Sequence, residues 1–157
     1  HIPLPEWLNI YNEEEIYGTA GEGVSCSVWN TGFFAAAKNN GDISAMFVGH
    51  DHNNDFGGWY DGIELAYGRK SGYGTYGDLH GARVVILKEN YDENGNFVNV
   101  TRDSFVIDVS GSYEYTYPTA LRNGTTQTTC PLDGGATLFS YVQKMLLIAI
   151  VLFYILF

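Results

Sequence analysis

Apolar and polar positions divide the 157-residue chain into short segments, each with its own period. In His1-Ile-Pro-Leu-Pro-Glu-Trp7 the two prolines fix φ and bias their predecessors, which predicts an extended start. Asn9 to Gly23 is acidic and polar and predicts a surface loop, with Glu13-Glu14-Glu15 as a solvated face. Asn30 to Gly41 predicts a helix: Asn30 can cap it, the alanines favour it, and Asn40-Gly41 supplies a left-handed stop. Phe33, Phe34 and Ala37 would form its buried face. Ala45-Met-Phe-Val48 predicts a buried strand, and Gly49 a sharp turn at its end. Ile63 to Tyr67 alternates as a strand does, whereas Gly68 to Gly77 holds too much glycine for a regular element. Ala82 to Lys88 is a β-run and Asp92-Glu-Asn-Gly-Asn96 a hairpin turn, with Phe97–Thr101 and Ser104–Val109 as further strands. Helix, strand and loop in this order predict an α/β arrangement.

Beyond Ser110 the apolar period stops. The expected organisation is a body over 1–110, a flexible Thr-, Gly- and Asn-rich linker over 111–136, and an apolar C-terminal helix within 137–157. Met145 to Phe157 is thirteen apolar residues without a break. At about 1.5 Å per residue it reaches roughly 20 Å, short of a hydrocarbon core of about 30 Å. Gly134-Gly135-Ala136, an eight-residue spacer and this run match the layout of a glycolipid-anchor signal, with Gly134 as the candidate anchor site. A short membrane helix and a core helix are the other two readings. The first two place the protein at a membrane through its tail.

The formal charge of −10 argues against a nucleic-acid partner, which needs clustered Lys and Arg. An acidic, Gly- and Tyr-rich chain suits a secreted or cell-surface domain. The sequons at Asn99 and Asn123 point to the same secretory route as glycosylation sites. Cys26 and Cys130 leave three states open: paired together, paired with sequence beyond this chain, or free. A start at His1 instead of Met suggests the C-terminal portion of a longer chain.

The candidate chemistry sits in Gly49-His-Asp-His-Asn-Asn-Asp55. Neutral imidazoles one residue apart suit a transition-metal ion, and Asp51, Asn54 and Asp55 stand where they could orient the rings. Each of those three has a turn-stabilising reading of equal weight. In the plain reading, the two rings alternate across a strand and bond to neighbours. A cupin-type single-metal oxygenase also shows His-x-His, but expects a glutamate a few residues on, where this chain has Phe56. Arg69 in the glycine-rich loop is a candidate phosphate contact. His80 has no assigned role.

Four segments in order carry a resemblance: His1-Ile-Pro-Leu-Pro-Glu6, Gly49 to Asp55, Tyr67-Gly-Arg-Lys-Ser-Gly-Tyr-Gly74 and Gly81-Ala-Arg-Val84. Over about residues 1 to 90 the chain resembles the calcineurin-like metallophosphoesterases, in the purple-acid-phosphatase-related branch. The resemblance implies the C-terminal half of a four-layer α/β/β/α sandwich. It also implies a dinuclear centre of iron, zinc or manganese that hydrolyses phosphate monoesters. His1 and His50 would ligate one ion and His52 the other, with metal-bound hydroxide as the attacking group and no protein nucleophile. The family's other ligands lie upstream, so this chain alone is expected to be inactive. Relatives often carry cysteines at the positions of Gly57 and Ala66. A non-catalytic surface protein keeping the fold is the alternative from another class.

Overall fold

The computed structural model describes residues 1–13, 16–111, 113–114, 121–122 and 126–130. Asn123, Gly134 and the apolar tail lie outside them. The architecture is mixed α/β. Two helices, α1 (Trp7–Asn12) and α2 (Phe33–Asn40), accompany eight strands among the described residues. These are β1 (Thr19–Ala20), β2 (Ala45–Val48), β3 (Gly57–Tyr60), β4 (Ile63–Tyr67), β5 (Gly81–Tyr91), β6 (Phe97–Asp108), β7 (Tyr113–Glu114) and β8 (Leu121–Arg122). None of the described helices is long and apolar enough to cross a membrane.

The site rests on the sheet ordered β2-β4-β3, in which β2 runs parallel to β4 and β3 antiparallel to it. All five residues of β4 are buried, so β4 is the centre of the sheet. β2 departs from the sequence expectation. It is half-buried and lies at the edge among the described residues, with Phe47 exposed. An apolar run reports hydrophobicity and leaves open which neighbours cover it.

One face of this sheet presents Ile63, Leu65 and Tyr67 to a core that includes Trp7, Ile10 and Tyr11 from α1 and Phe34 from α2. The opposite face presents Glu64 to β6, where Arg102 and Ser104 both bond to its carboxylate. Arg102 also lies over the rings of Phe47 and Trp59, which flank Glu64 on that face. The described residues thus stack as helices, sheet and second sheet.

Several local expectations change. Asn9 to Asn12 is helical instead of looped, because Trp7, Ile10 and Tyr11 at i, i+3 and i+4 form one buried stripe. In α2 the left-handed stop at Gly41 is present, at φ +82°. The start differs: Gly32 occupies the N-cap, and Asn30 Oδ1 accepts from Gly32 N one turn earlier. Phe34 is buried, but Phe33 is 59 % exposed, since a helix of eight residues turns only part of its surface to the sheet. The hairpin turn at Asp92–Asn96 joins two long strands, and Arg102-Asp103 continues β6 without a break. Asn99 is exposed on that hairpin, beside Asn90 across the ladder.

Gly57 and Ala66 are direct cross-strand partners. A Cβ at Gly57 would stand 2.8 Å from that of Ala66 and 2.3 Å from Tyr17 Oη. The space a cross-strand disulfide would take is here filled by the Tyr17 phenol, which donates to Glu64. The stretch expected as a linker returns to the body. β7 pairs with β6, β8 pairs parallel with β1, and Cys130 is bonded to Cys26. The Gln127 side chain closes the same seam, accepting from Val24 N and donating to Val24 O.

Candidate metal centre

β2 and β4 run parallel, and their C-terminal ends deliver the two loops that form the site. The first holds His50 and His52, the second Gly68 to Gly77. Between them lies a cavity of about 370 Å³, lined by His50, Asp51, His52, Arg69, Lys70 and Thr75 together with loop glycines. That volume suits a small ligand. The sharp turn falls on His50 itself, at φ +83°, and Gly49 stays outside the left-handed region. A non-glycine residue there costs about 1–2 kcal/mol and persists only where its surroundings hold it. Those surroundings include the first residue of the chain. Gly49 N donates to His1 O at 3.1 Å, and the His1 ring meets the His50 ring edge-on with centroids 5.2 Å apart.

His52 faces a different set of partners. Its ring stacks on Tyr76 at 4.5 Å, and its Nδ1 lies 3.0 Å from Tyr76 O and 2.7 Å from Thr75 Oγ1. A carbonyl only accepts, so a neutral ring that bonds to Tyr76 O carries its proton on Nδ1 and offers Nε2 as the lone-pair nitrogen. The donor chemistry fits a transition-metal ion, as two imidazoles at His1 and His50 and a third at His52. Among the described residues no three His, Cys, Asp or Glu side chains gather closely enough to hold a metal ion.

The carboxylates and amide of the loop brace its backbone. Asp51 Oδ2 accepts from Ser25 N at 2.9 Å and from Tyr67 Oη at 2.6 Å. Asn54 Oδ1 accepts from Glu22 N. Asp55 accepts from Thr19 N through Oδ1 and from Arg69 Nε and Nη2 through Oδ2. Arg69, the candidate phosphate contact, therefore lies in a buried ion pair on the cavity wall, with side chains 3 % and 2 % exposed. Glu22, Tyr67, Thr75 and Tyr76 escaped the sequence reading because no local pattern marks them. Tyr76, for example, bonds to His52 across 24 residues.

Two buried tyrosines set an alkaline limit. Burial pushes the Tyr67 phenol far above its ordinary value near 10, and the Asp51 carboxylate adds to the effect. Burial also raises Tyr17, against which Arg83 over its ring acts only in part. Both stay protonated in the folded state at pH values where unfolded tyrosines ionise. Their contribution is complete below about pH 10 and is lost as pH rises above it, by about 1.4 kcal/mol per pH unit for each tyrosine. Urea denaturation of wild type and Tyr67→Phe on either side of that pH checks this. The variant is expected to lose stability less steeply, and parallel slopes would exclude Tyr67 as a cause.

The described site is thus a loop bearing His-x-His at the ends of two parallel strands, with the His1 ring against that of His50. The chain is 41 % identical over 100 residues to "Probable inactive purple acid phosphatase 29" of Arabidopsis thaliana, covering 62 % of this chain and 26 % of that protein. It is 37 % identical over 89 residues to "Probable inactive purple acid phosphatase 14" of the same plant, covering 57 % and 22 %. It is 33 % identical over 90 residues to "Serine/threonine-protein phosphatase CPPED1" of Danio rerio, covering 57 % and 26 %. No family model matches the chain, and no solved structure matches it. Over about 60 % of its length, this chain is similar to curated proteins of the calcineurin-like metallophosphoesterase kind, purple-acid-phosphatase-related among them. It spans about a quarter of the length of the curated relatives it matches.

Proposed function

We propose that this chain supplies the histidine side of a metal-dependent centre that hydrolyses phosphate monoesters. The observation that carries the reading is the meeting of His1 and His50, from segments far apart in sequence, beside the cavity that His52 lines. His1 and His50 would hold one metal ion and His52 the other; iron, zinc and manganese suit these donors. Such ions, when bound, neutralise charge on a phosphoryl group and activate water. The residues of this chain place the imidazoles. His1 is docked by its own carbonyl on Gly49 N, and His50 is held in the left-handed region. His52, with Nδ1 against Tyr76 O, would offer Nε2 to the ion.

The test is metal analysis and 4-nitrophenyl phosphate hydrolysis by the intact protein carrying this chain, with His50→Ala and His52→Ala alongside. Each variant is expected to lose metal affinity tenfold or more and to lose hydrolysis. Full retention of both by the two variants would end the assignment. A second reading, a surface protein that keeps the fold without catalysis, is favoured by the words "probable inactive" in the names of the Arabidopsis relatives. It predicts no hydrolysis by the wild-type protein. We also propose a secreted or cell-surface location with a membrane-directed tail. The Cys26–Cys130 disulfide and the exposure of Asn99 support the secretory route.

A further inference from the structure

Lys70 lines the cavity, yet its ammonium group is directed at backbone. Nζ donates to Thr75 O at 2.7 Å, Tyr76 O at 2.7 Å and Gly77 O at 3.1 Å. An ammonium has three N–H donors, and these three carbonyls match that number. The segment they close is the one that holds His52. Tyr76 O accepts from Lys70 Nζ and also faces His52 Nδ1, so one oxygen, with two lone pairs, joins the staple to the imidazole. Tyr76 is braced at its far end, where its hydroxyl donates to Glu22 Oε1, the oxygen that also accepts from Asn53 N. The segment then passes so close to His52 that a Cβ on Gly77 would lie 2.9 Å from His52 Cβ, at a φ of +92°.

We infer that Lys70 is a positioning residue for His52. By tying the carbonyls of Thr75, Tyr76 and Gly77 together, it keeps Tyr76 O and Thr75 Oγ1 against Nδ1 and the Tyr76 ring against the imidazole plane. That arrangement fixes the proton on Nδ1 and leaves Nε2 as the ligating nitrogen. The glycine-rich loop therefore acts as a brace behind an imidazole, and its lysine is spent on the brace. The value of this for metal binding rests on the reading of His52 as a ligand; the tautomer and ring orientation do not.

The experiment uses the intact protein carrying this chain, labelled at its histidine ring nitrogens, as wild type, Lys70→Met, Tyr76→Phe and His52→Ala. Ring-nitrogen chemical shifts identify the His52 tautomer without metal, and cobalt(II) titration gives affinity. Wild type is expected to show a single Nδ1–H form. Lys70→Met is expected to show a mixture of Nδ1–H and Nε2–H forms and about 10- to 100-fold weaker cobalt binding. Tyr76→Phe keeps the carbonyl and the stacked ring and should keep the tautomer. A single Nδ1–H form with unchanged affinity in Lys70→Met overturns the inference. If Lys70→Met loses the folded spectrum, Lys70→Gln replaces it, with two donors left and an intermediate shift expected. Unchanged cobalt binding in His52→Ala would remove the ligand reading alone, while the tautomer result would still stand or fall by itself.

Discussion

Replacing Cys26 and Cys130 together by alanine is expected to lower stability by about 4 to 5 kcal/mol, as the chain-entropy account gives for a loop of about 100 residues. The two cysteines are 104 positions apart, and Cys26 is fully buried in the main core. The bond holds the segment from 126 to 130 against Val24 and α1, where Gln127 N donates to Asn12 Oδ1 and Asn12 Nδ2 donates to Gln127 O. Without it, that seam closes only by hydrogen bonds with a large loop to order. With a urea slope of about 2 kcal/mol per molar, the unfolding midpoint should fall by roughly 2 M. Dithiothreitol should have a similar effect on wild type and none on the double variant. A midpoint unchanged by reduction would show that the bond contributes nothing to stability.

The second large effect concerns Asp55 and Arg69. Removing Asp55 by Asp55→Ala leaves a buried guanidinium facing the space of its lost carboxylate, which costs about 3–5 kcal/mol. The same change frees Thr19 N, so β1 loosens and the histidine loop loses its anchor. Asp55→Ala combined with Arg69→Met is expected to recover much of the loss, because no unpaired charge then remains buried. Urea denaturation of the two single variants and the double variant measures the coupling as a thermodynamic cycle. Additive losses would mean that each side chain acts through other partners. The histidines should respond as well: cobalt(II) affinity is expected to drop in Asp55→Ala, although Asp55 bonds to neither ring.

Much of the site could be read from residue order. His1, His50 and His52 were candidates from their types, their spacing and the resemblance; in the structure the His1 ring meets that of His50, and His50 and His52 line one cavity. The stop of α2 at Gly41 and the hairpin about Asp92–Asn96 follow from local backbone preferences, so short windows contain them. The roles of Asp51, Asn54, Asp55 and Arg69 do not. Each is settled by a partner from a distant segment: Ser25 and Tyr67, Glu22, Thr19 and Arg69, and Asp55. A carboxylate beside a histidine looks the same in sequence whether it turns toward the ring or toward an amide across the core. The α1 stripe could have been found, since Trp7, Ile10 and Tyr11 have helical spacing, but the prolines before it and the acidic run after it masked the signal.

By itself the sequence determined the likeness to phosphoesterases, because imidazole type, spacing and motif order are properties of the chain and need no partner to be defined. It also set the hairpin and the end of α2, where neighbouring residues decide the backbone. Only the tertiary structure decided that Cys26 meets Cys130, that β4 and not β2 is the covered strand, and that Arg69 pairs with Asp55. Those outcomes depend on which surfaces exclude water from one another and which buried polar atoms find each other, and such pairings join separate segments of the chain.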